Sequence, residues 1–490
     1  MVMLKPKVCE SGSASGVERP ATTAGGPAIA LAGLSLSVLL PALGTSIANV
    51  ALPTLAEAFG ASFPQVQWIV VAYLLASTIA VVGAGRLGDM LGRRRLLLAG
   101  IVLFTAASAL CAAAPTLWLL IAARALQGIG AAVMMALSMA FVGQTVPKAR
   151  TGSVMGLLGT MSAVGTALGP SLGGLLIAGF GWRAIFLINL PLGALAFLLV
   201  RRHLPADGEA EGAGRAGFNP LGMLLLALTL GAYALAMTTG RGGFDLLNAA
   251  LLLVAAVGAG FFVRAEAKAA SPLIQVAMVR DPTLGAGLAA SMLVATVLMA
   301  TLVIGPFYLA RALALDTALV GAVMSAGPLA AALAGVPAGR MVDRFGARRM
   351  AVGGLIGVGT GCGLLTVNPA TFGVPGYAVP IVVTTASYAL FQTANNTAVL
   401  AAVAPDRRGV VSGMLALSRN LGLITGASVM GAVFALASRT ADMATAHPDA
   451  VAGGMRITFA LAAGLIVLAL VVVTGSNALS QVRTSSEPQA

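Results

Sequence analysis

Few side chains in this sequence carry charge, and two of the arginines, Arg124 and Arg419, stand inside apolar stretches. Arg124 lies within the apolar run 116–141, and Gln127 shares its face of the predicted helix because three residues separate the two. A central arginine in a membrane helix costs about 2.5–3.5 kcal/mol on insertion scales, so it needs a wet cavity or a partner. The alternative, a side chain that snorkels to the nearer surface, requires a reach of about 12 Å. The pair is therefore predicted to line a polar cavity.

A second polar face runs along the stretch 375–401. Tyr388, Gln392 and Asn396 are spaced four residues apart, which aligns them on one helix face. Amide side chains are penalised in lipid, so this face is also predicted to line the cavity. Residues from two other stretches and two neighbours on this one complete the prediction. The predicted cavity residues are Thr45, Asn49, Arg124, Gln127, Tyr308, Tyr388, Phe391, Gln392, Asn395 and Asn396.

Reaction chemistry is not indicated anywhere along the chain. The two histidines, His203 and His447, cannot build a metal cluster. A GxxxxGK[ST] phosphate loop and a GxSxG nucleophile elbow are both absent from the sequence. No catalytic residue, metal or cofactor is therefore predicted, and an integral-membrane enzyme is a distant alternative to a binding or transport protein.

The elements that position these side chains must be membrane helices. The 490 residues are 58% hydrophobic and 9% charged, whereas soluble domains are about 45–50% apolar and about 25% charged. A chain of this composition exposes a largely apolar surface, which is stable in lipid rather than in water. The net charge of +13 is spread in short clusters between apolar runs, which is the pattern of membrane insertion rather than of nucleic-acid binding. The predicted partners are a small-molecule substrate and the bilayer, with the chain a monomer.

The apolar runs define the predicted spans. A bilayer core of about 30 Å requires about 20 apolar residues in a helix. Strict alternation of the kind that marks a membrane β-barrel is absent from the sequence. About fourteen spans are predicted, at 28–52, 68–88, 96–114, 116–141, 153–179, 184–200, 220–239, 246–263, 284–310, 317–338, 350–367, 375–401, 410–436 and 455–475.

Lysine and arginine fall mainly on one side of these spans. With the N-terminus inside, about 22 of them lie in cytoplasmic segments and about five on the opposite side. Because cytoplasmic loops carry the excess of basic residues, this asymmetry predicts a multi-pass protein of the inner membrane with both termini cytoplasmic. Residues 1–27 are polar and predicted to be disordered.

An eleven-residue pattern occurs twice. Residues 85–95 and 339–349 both have the form G-R-x-x-D-x-x-G-x-R-R, separated by 254 positions. Since eight spans lie between the two loops, each half has six spans and two extra spans intervene. Parallel halves of this kind are typical of the major facilitator fold, which binds substrate between its halves. The predicted organisation is a tail at 1–27, a half at 28–200, linkers with two extra helices at 201–283, a half at 284–475 and a tail at 476–490.

Several segments, taken in order, resemble the fourteen-helix drug–proton antiporters of the major facilitator superfamily, a family of multidrug efflux transporters. The similarity spans about 28–475 and rests on segments that match that family's helix motifs. The resemblance implies a secondary active transporter that exports drugs or small amphiphilic metabolites by alternating access, coupled to the proton gradient. Import of a small anionic metabolite on the same fold is the alternative. The matching segments are Ile47–Pro53, 85–95, Arg124–Gly130, 165–174 and Trp182–Pro191.

Two groups of motif residues have predicted roles in the transport cycle. In the repeated loops, a carboxylate at a helix end can accept from the first amides of a neighbouring helix and so gate the inner mouth; a solvated loop that sets topology is the alternative. In the fifth span, small residues permit close helix contact and proline removes a backbone donor. The predicted gating residues are Gly85, Asp89, Gly92, Arg93, Arg94, Gly339, Asp343, Gly346 and Arg348; those of the antiporter-motif helix are Gly165, Gly169, Pro170, Gly173 and Gly174.

One departure from the family concerns the coupling of transport to protons. The family usually has aspartate where this chain has Gly44, and none of the sixteen acidic residues lies near the centre of a predicted span. Asp89 or Asp343 can carry the proton, the substrate can carry its own charge, or transport can be facilitated diffusion. The second possibility is favoured because Arg124 is an embedded charge, and it predicts an anionic or neutral amphiphile as substrate.

The orientation can be tested with reporter fusions along the chain. Fusions at 88–95 and 340–349 should report a cytoplasmic position, and fusions at 437–454 an external one, because the basic residues concentrate on the first side. An external signal from 88–95 would contradict the predicted orientation.

Overall fold

The computed structural model describes residues 26–145, 151–205, 207, 220–238, 245–268, 281–367, 372–403, 408–438 and 446–486. Within these ranges a few residues are described by their backbone alone, among them Arg86 and Asp89. Residues 1–25 of the predicted tail and most of the two linkers lie outside the described part of the chain.

The described residues form helices joined by short turns. Because lipid offers no hydrogen bonds to the backbone, an apolar segment that crosses it must satisfy its own amides, as a helix does. The helices are α1 Gly26–Val50, α2 Leu52–Phe59, α3 Phe63–Leu91, α4 Arg93–Ala113, α5 Leu117–Thr145, α6 Thr151–Phe180, α7 Ala184–Leu187, α8 Asn189–His203, α9 Pro220–Thr238, α10 Leu246–Lys268, α11 Pro282–Phe307, α12 Thr317–Phe345, α13 Ala347–Thr366, α14 Gly373–Ala401, α15 Arg408–Thr425, α16 Gly431–Ala437 and α17 Pro448–Ser486, with π-helical segments at Tyr308–Ala312 and Gly426–Met430.

The predicted all-helical, polytopic architecture is confirmed. Thirteen helical segments among the described residues are long and apolar enough to cross a membrane, and a shorter apolar helix, Pro220–Ala236, stands where the remaining span is predicted. The structure adds breaks that periodicity does not signal, such as Ala51 between α1 and α2 and Ile188 between α7 and α8. The last helix continues to Ser486, beyond the predicted end of its span at residue 475.

Two sets of helices correspond through the sequence repeat. In the first half α1 packs against α6 and α3 against α5; in the second, α11 packs against α15 and α12 against α14. Each repeated loop becomes a tight turn at a glycine, with φ of +93° at Gly92 between α3 and α4 and +87° at Gly346 between α12 and α13. Residues with a side chain rarely adopt these values, which explains glycine at both positions. We call the end of the bundle that carries these two turns the motif end and the opposite end the far end.

The two extra helices lie beside the seam between the halves. Helices α9 and α10 pack against each other, and Leu226 and Leu230 of α9 form an apolar cluster with Leu75 of α3 and Leu421 of α15. The Tyr233 hydroxyl donates to Oγ1 of Thr425, also on α15, at 3.0 Å. Helix α9 therefore contacts both halves.

The halves touch closely at the far end and diverge toward the motif end. A Cβ added at Gly321 of α12 would lie 2.9 Å from the Gly174 Cα of α6. Further along the same face of α12, toward the motif end, a Cβ at Gly335 or Gly339 would have no atom within 4 Å, and the same holds for Gly159 on α6. The halves consequently enclose a cleft that is closed at the far end and open at the motif end.

Candidate functional site

Arg124 is fully buried inside the first half, where three helices meet. Its Nε donates to the carbonyl oxygen of Ile69 on α3 at 3.1 Å, and its Nη1 donates to the carbonyl oxygen of Gly44 on α1, also at 3.1 Å. The guanidinium lies over the Tyr73 ring, 4.3 Å from its centroid, which adds a cation–π attraction. Arg124 thus finds partners rather than a wet surface, and in this conformation it is not exposed to the cleft.

Gln127 extends the hydrogen bonding of Arg124 to a fourth helix. Its Oε1 accepts from Nη1 of Arg124, and its Nε2 donates to the Ser108 hydroxyl of α4 at 2.7 Å. A Cβ added at Gly44 would point at this place, 3.2 Å from the Phe104 ring and 4.0 Å from Nε2 of Gln127. An aspartate at this position would therefore place its carboxylate near Gln127; in this chain the backbone oxygen of Gly44 accepts from Arg124.

The predicted polar face of α14 divides into two parts. Tyr388, Gln392 and Asn396 are half-buried and share one face. Phe391 and Asn395 are buried against neighbouring helices, and Nδ2 of Asn395 donates to the Gly287 carbonyl oxygen of α11 at 3.0 Å. The first three are therefore the candidates for contact with a ligand in the cleft, while Asn395 ties α14 to α11.

The other predicted cavity residues lie toward the far end, where the halves are closed. Asn49 is 1% exposed and donates to the Thr45 carbonyl oxygen at 3.2 Å, and Thr45 itself is half-buried. Tyr308 has no exposed surface and stacks on Tyr377 with ring centroids 5.8 Å apart. Asn49 and Tyr308 are therefore out of reach of the cleft in this conformation.

Arg419 is a second embedded arginine, and the predicted cavity does not include it. It stands eleven residues into α15, about 16 Å from the motif end of that helix. The side chain is half-buried, and its Nε atom is shielded without a hydrogen-bond acceptor among the described residues. The Tyr388 hydroxyl of α14 lies within electrostatic range of the guanidinium. Its place in an apolar run was the sequence signal that could have identified it.

Aromatic and amide contacts close the far end. The Phe63 ring of α3 makes edge contacts with Phe307 and Phe434 of the second half, at centroid distances of 4.7 and 5.5 Å. Nε2 of Gln67 donates across the seam to the Ala427 carbonyl oxygen at 2.8 Å. These buried contacts exclude water from the far side of the cleft.

A charged pair joins the two halves at the same end. Glu57 of α2 and Arg311, in the π-helical segment after α11, form an ion pair, and the two side chains are 56% and 28% exposed. Their positions differ by 254, which is the offset between the two repeated loops. Equivalent positions in two related halves can meet only near the axis that relates them, so opposite charges at this offset were the sequence signal for the contact.

The first repeated loop is anchored by a linker residue. The carboxylate of Asp207, which follows α8, accepts from the backbone amides of Arg94 at 2.8 Å and Arg95 at 3.0 Å. This places a negative charge at the N-terminus of α4, where the helix dipole favours it. The Arg94 side chain donates to the Arg201 carbonyl oxygen, and Arg93 is half-buried. The side chain of Asp89 lies outside the described part of the structure, so its gating role stays a prediction.

The second repeated loop lies open at the motif end. Asp343, Gly346 and Arg348 are exposed, as is Gly85 in the first loop, while Gly339 is half-buried. Among the described residues, Asp343 forms no ion pair. The exposure of this loop agrees with the divergence of α6 and α12 toward the motif end, and its gating role stays a prediction.

Glycines of the antiporter-motif helix serve two contacts. A Cβ added at Gly165, Gly169 or Gly173 would collide with α1, whereas one at Gly174 would lie 2.8 Å from the Thr317 carbonyl oxygen of α12. Pro170 lies inside the helix, and its carbonyl oxygen faces Gly321. The predicted close approach of helices thus occurs on two sides of α6, one within the half and one between halves.

Comparison with known proteins agrees with this architecture. The family model described as Major Facilitator Superfamily matches residues 34–305 and 286–476. A solved bacterial homologue of the human lysosomal transporter Spinster, in an inward-facing and unoccupied conformation, superposes with a TM-score of 0.69 over 93% of this chain and 98% of that one, at 16% identity. The chain belongs to the major facilitator superfamily, as its motifs indicate.

The related proteins are transporters that are named for different roles. The uncharacterized transporter YebQ of Escherichia coli is 33% identical over 81% of this chain and 86% of its own. The multidrug resistance protein Stp of Mycobacterium tuberculosis is 30% identical over 83% and 76%, and the riboflavin transporter RibZ of Clostridioides difficile is 28% identical over 90% and 95%. The protein is accordingly a multi-pass membrane transporter, related to multidrug resistance proteins.

The ion pair at the far end yields a test of how that end opens. An exposed pair contributes at most about 1 kcal/mol, so replacing Glu57 with arginine should raise the population open at the far end by up to about fivefold. A cysteine introduced at Ala427, which is buried in the seam, would report opening to an impermeant maleimide in a background without the native cysteines.

The exchanged pair Glu57→Arg with Arg311→Glu is the matched control. Labelling should return to the original rate because the attraction is restored. If the exchanged pair labels as fast as Glu57→Arg alone, the ion pair does not hold the far end closed.

Proposed function

We propose that this protein is an exporter of small amphiphilic organic compounds that acts as a monomer in the inner membrane by alternating access. The observation that carries the proposal is the cleft, which opens at the motif end and is closed at the far end by Gln67, Phe63 and the Gly174–Gly321 contact. The basic residues of the repeated loops favour a cytoplasmic motif end. A cleft open to the cytoplasm is the state in which an exporter takes up its cargo.

The relatives support export in general rather than a particular substrate. Stp is named for multidrug resistance, and the multidrug efflux pump LfrA of Mycolicibacterium smegmatis is a further relative at 29% identity. Import or facilitated passage of a small metabolite is the second candidate, and it draws on RibZ, which is named as a transporter of one such metabolite, riboflavin, and matches 90% of this chain.

Energy coupling is proposed to act through the substrate. The acidic residues of α2, α10, α12 and α17 that the structure describes stand near helix termini, at Glu57, Glu266, Asp343 and Asp449. A proton carrier inside a membrane is normally a desolvated carboxylate. Since the centres of the spans contain none, a weak acid that crosses with its own charge is the simplest way for a pH gradient to drive transport.

Export can be tested by loading cells with fluorescein as its diacetate ester. Cells of an efflux-deficient bacterial host that produce the protein should lose the dye faster than cells with an empty vector, because dye in the cytoplasm can enter the cleft. Producing the Gly321→Val variant, whose side chain would collide with α6, is the control for membrane load. Faster accumulation of external dye in producing cells would favour import instead.

Coupling can be tested in proteoliposomes under an imposed pH gradient, with protein-free liposomes as the blank. The gradient should drive protein-dependent movement of fluorescein, a weak acid, and leave a permanently ionised sulfonate dye at its equilibrium distribution. Concentrative movement of the sulfonate dye would mean that the protein carries the proton. Asp89→Asn and Asp343→Asn would then show which carboxylate does so.

A further inference from the structure

Arg419 differs from Arg124 in what surrounds its charge. The Nε and Nη1 atoms of Arg124 donate to two backbone carbonyl oxygens and to Gln127, and its guanidinium lies over the Tyr73 ring, although Nη2 has no partner among the described residues. Arg419 has no hydrogen bond to any residue that the structure describes, and its Nε is nevertheless shielded from solvent. A cation in the interior of a membrane protein normally has a partner. Among the residues that the structure describes, Arg419 has no such partner.

Arg419 lies between the motif end of α15 and the closed seam at Ala427. The residue lies about 16 Å from the motif end of α15, and Tyr388 lies about 20 Å from the motif end of α14. Helices α14 and α15 contact each other, and the Tyr388 hydroxyl is close enough to the Arg419 guanidinium to be affected by its charge. Gln392 and Asn396, on the same face of α14 as Tyr388, follow toward the open end. A ligand that enters from the motif end meets these polar groups before it reaches the closed seam.

The face of α15 that carries Arg419 is otherwise apolar. Ala416 and Leu423, three residues before and four residues after Arg419, share its face and are half-buried like it. Asn420 is the other half-buried polar neighbour. A single cation with apolar neighbours above and below suits a ligand that has one anionic group on an apolar body.

The internal repeat shows that α15 does not need an arginine for its packing. Gly422 of α15 and Gly426 of the π-helical segment that follows it contact α11 as Gly165 and Gly169 of α6 contact α1, with an offset of 257. At that offset the equivalent of Arg419 is Ser162, and the equivalent of Asn420 is Ala163. Small side chains therefore suffice for helix packing at these positions in the first half, and the positive charge of Arg419 occurs only in the second half.

We infer that Arg419, with Tyr388 and Gln392, forms the substrate subsite for an anionic head group, so that the cargo is an organic anion with an apolar body. This inference rests on the proposed transport function and deepens it. The planar guanidinium offers paired N–H donors that match a carboxylate, sulfonate or phosphate. The Tyr388 hydroxyl and the Gln392 amide add neutral donors. No carboxylate stands in the middle of a described span to compete for the cation.

Two dyes that share a xanthene core and differ in charge test the assignment. Fluorescein is anionic at pH 8, and rhodamine 123 is cationic. Proteoliposomes with the unmodified protein should move fluorescein in preference to rhodamine 123. Arg419→Gln should lower fluorescein transport about tenfold or more, because a charge-assisted hydrogen bond is lost in a partly desolvated cleft. Arg419→Lys should keep much of the transport.

The charge reversal Arg419→Glu separates recognition from folding. It should invert the preference, so that rhodamine 123 moves faster than fluorescein, which a purely structural role would not produce. Arg202→Gln, which removes the same charge from an exposed position at the end of α8, is the matched control and should leave the preference unchanged.

The outcomes distinguish the two levels of the proposal. Preference for rhodamine 123 by the unmodified protein, or an unchanged preference in Arg419→Gln and Arg419→Glu, overturns the subsite and leaves transport standing. Failure of the unmodified protein to move either dye contradicts the transport proposal, and the subsite falls with it.

Discussion

The constraint on which this structure depends is that polar groups inside the bilayer must find partners within the protein. Arg124 meets it with two of its three nitrogens: Nε and Nη1 reach across helices to the carbonyl oxygens of Ile69 and Gly44, which as members of helices still have a free lone pair, while Nη2 has no partner among the described residues. The guanidinium thereby links α1, α3 and α5 at one point. The arrangement replaces a carboxylate with backbone oxygens, and it explains how the first half tolerates a buried cation although position 44 carries no side chain.

The two seams between the halves obey the same repeat but are built differently. At one seam Gly174 of α6 meets Gly321 of α12; at the other Gln67 of α3 meets Gly431 of α16. Gln67 and Gly321 differ by 254, and Gly174 and Gly431 by 257, so the two pairs are equivalent in the repeat. One seam thus closes by backbone contact and the other by an amide that donates to Ala427. The two seams are equivalent in position but differ in the contacts that close them.

The apolar runs predicted the spans, and the repeated motif predicted the two halves, because each signal is contained in a short stretch of sequence. Sequence periodicity predicted which side chains share a helix face, such as Tyr388, Gln392 and Asn396, but not which neighbour that face meets. Arg124 and Asn395 were predicted to line the cavity because a polar group inside a membrane needs water or a partner. A packed helix interface also supplies such partners, and both residues lie in one. The contact of Asp207 with α4 could not be predicted for another reason: it depends on the path by which the linker returns to the helices.

Weak contacts stabilise the closed conformation of the far end, and buried polar groups without hydrogen bonds destabilise it. Its exposed ion pair contributes about 0–1 kcal/mol. Among the described residues, Asn49 Oδ1, Tyr308 Oη and Ser428 Oγ are buried there without a hydrogen-bond partner, and each such group costs about 1–3 kcal/mol. Opening the far end would return water to groups of this kind and separate the Phe63, Phe307 and Phe434 rings. These opposing contributions would bring the two conformations closer in free energy, which the proposed alternating-access cycle requires.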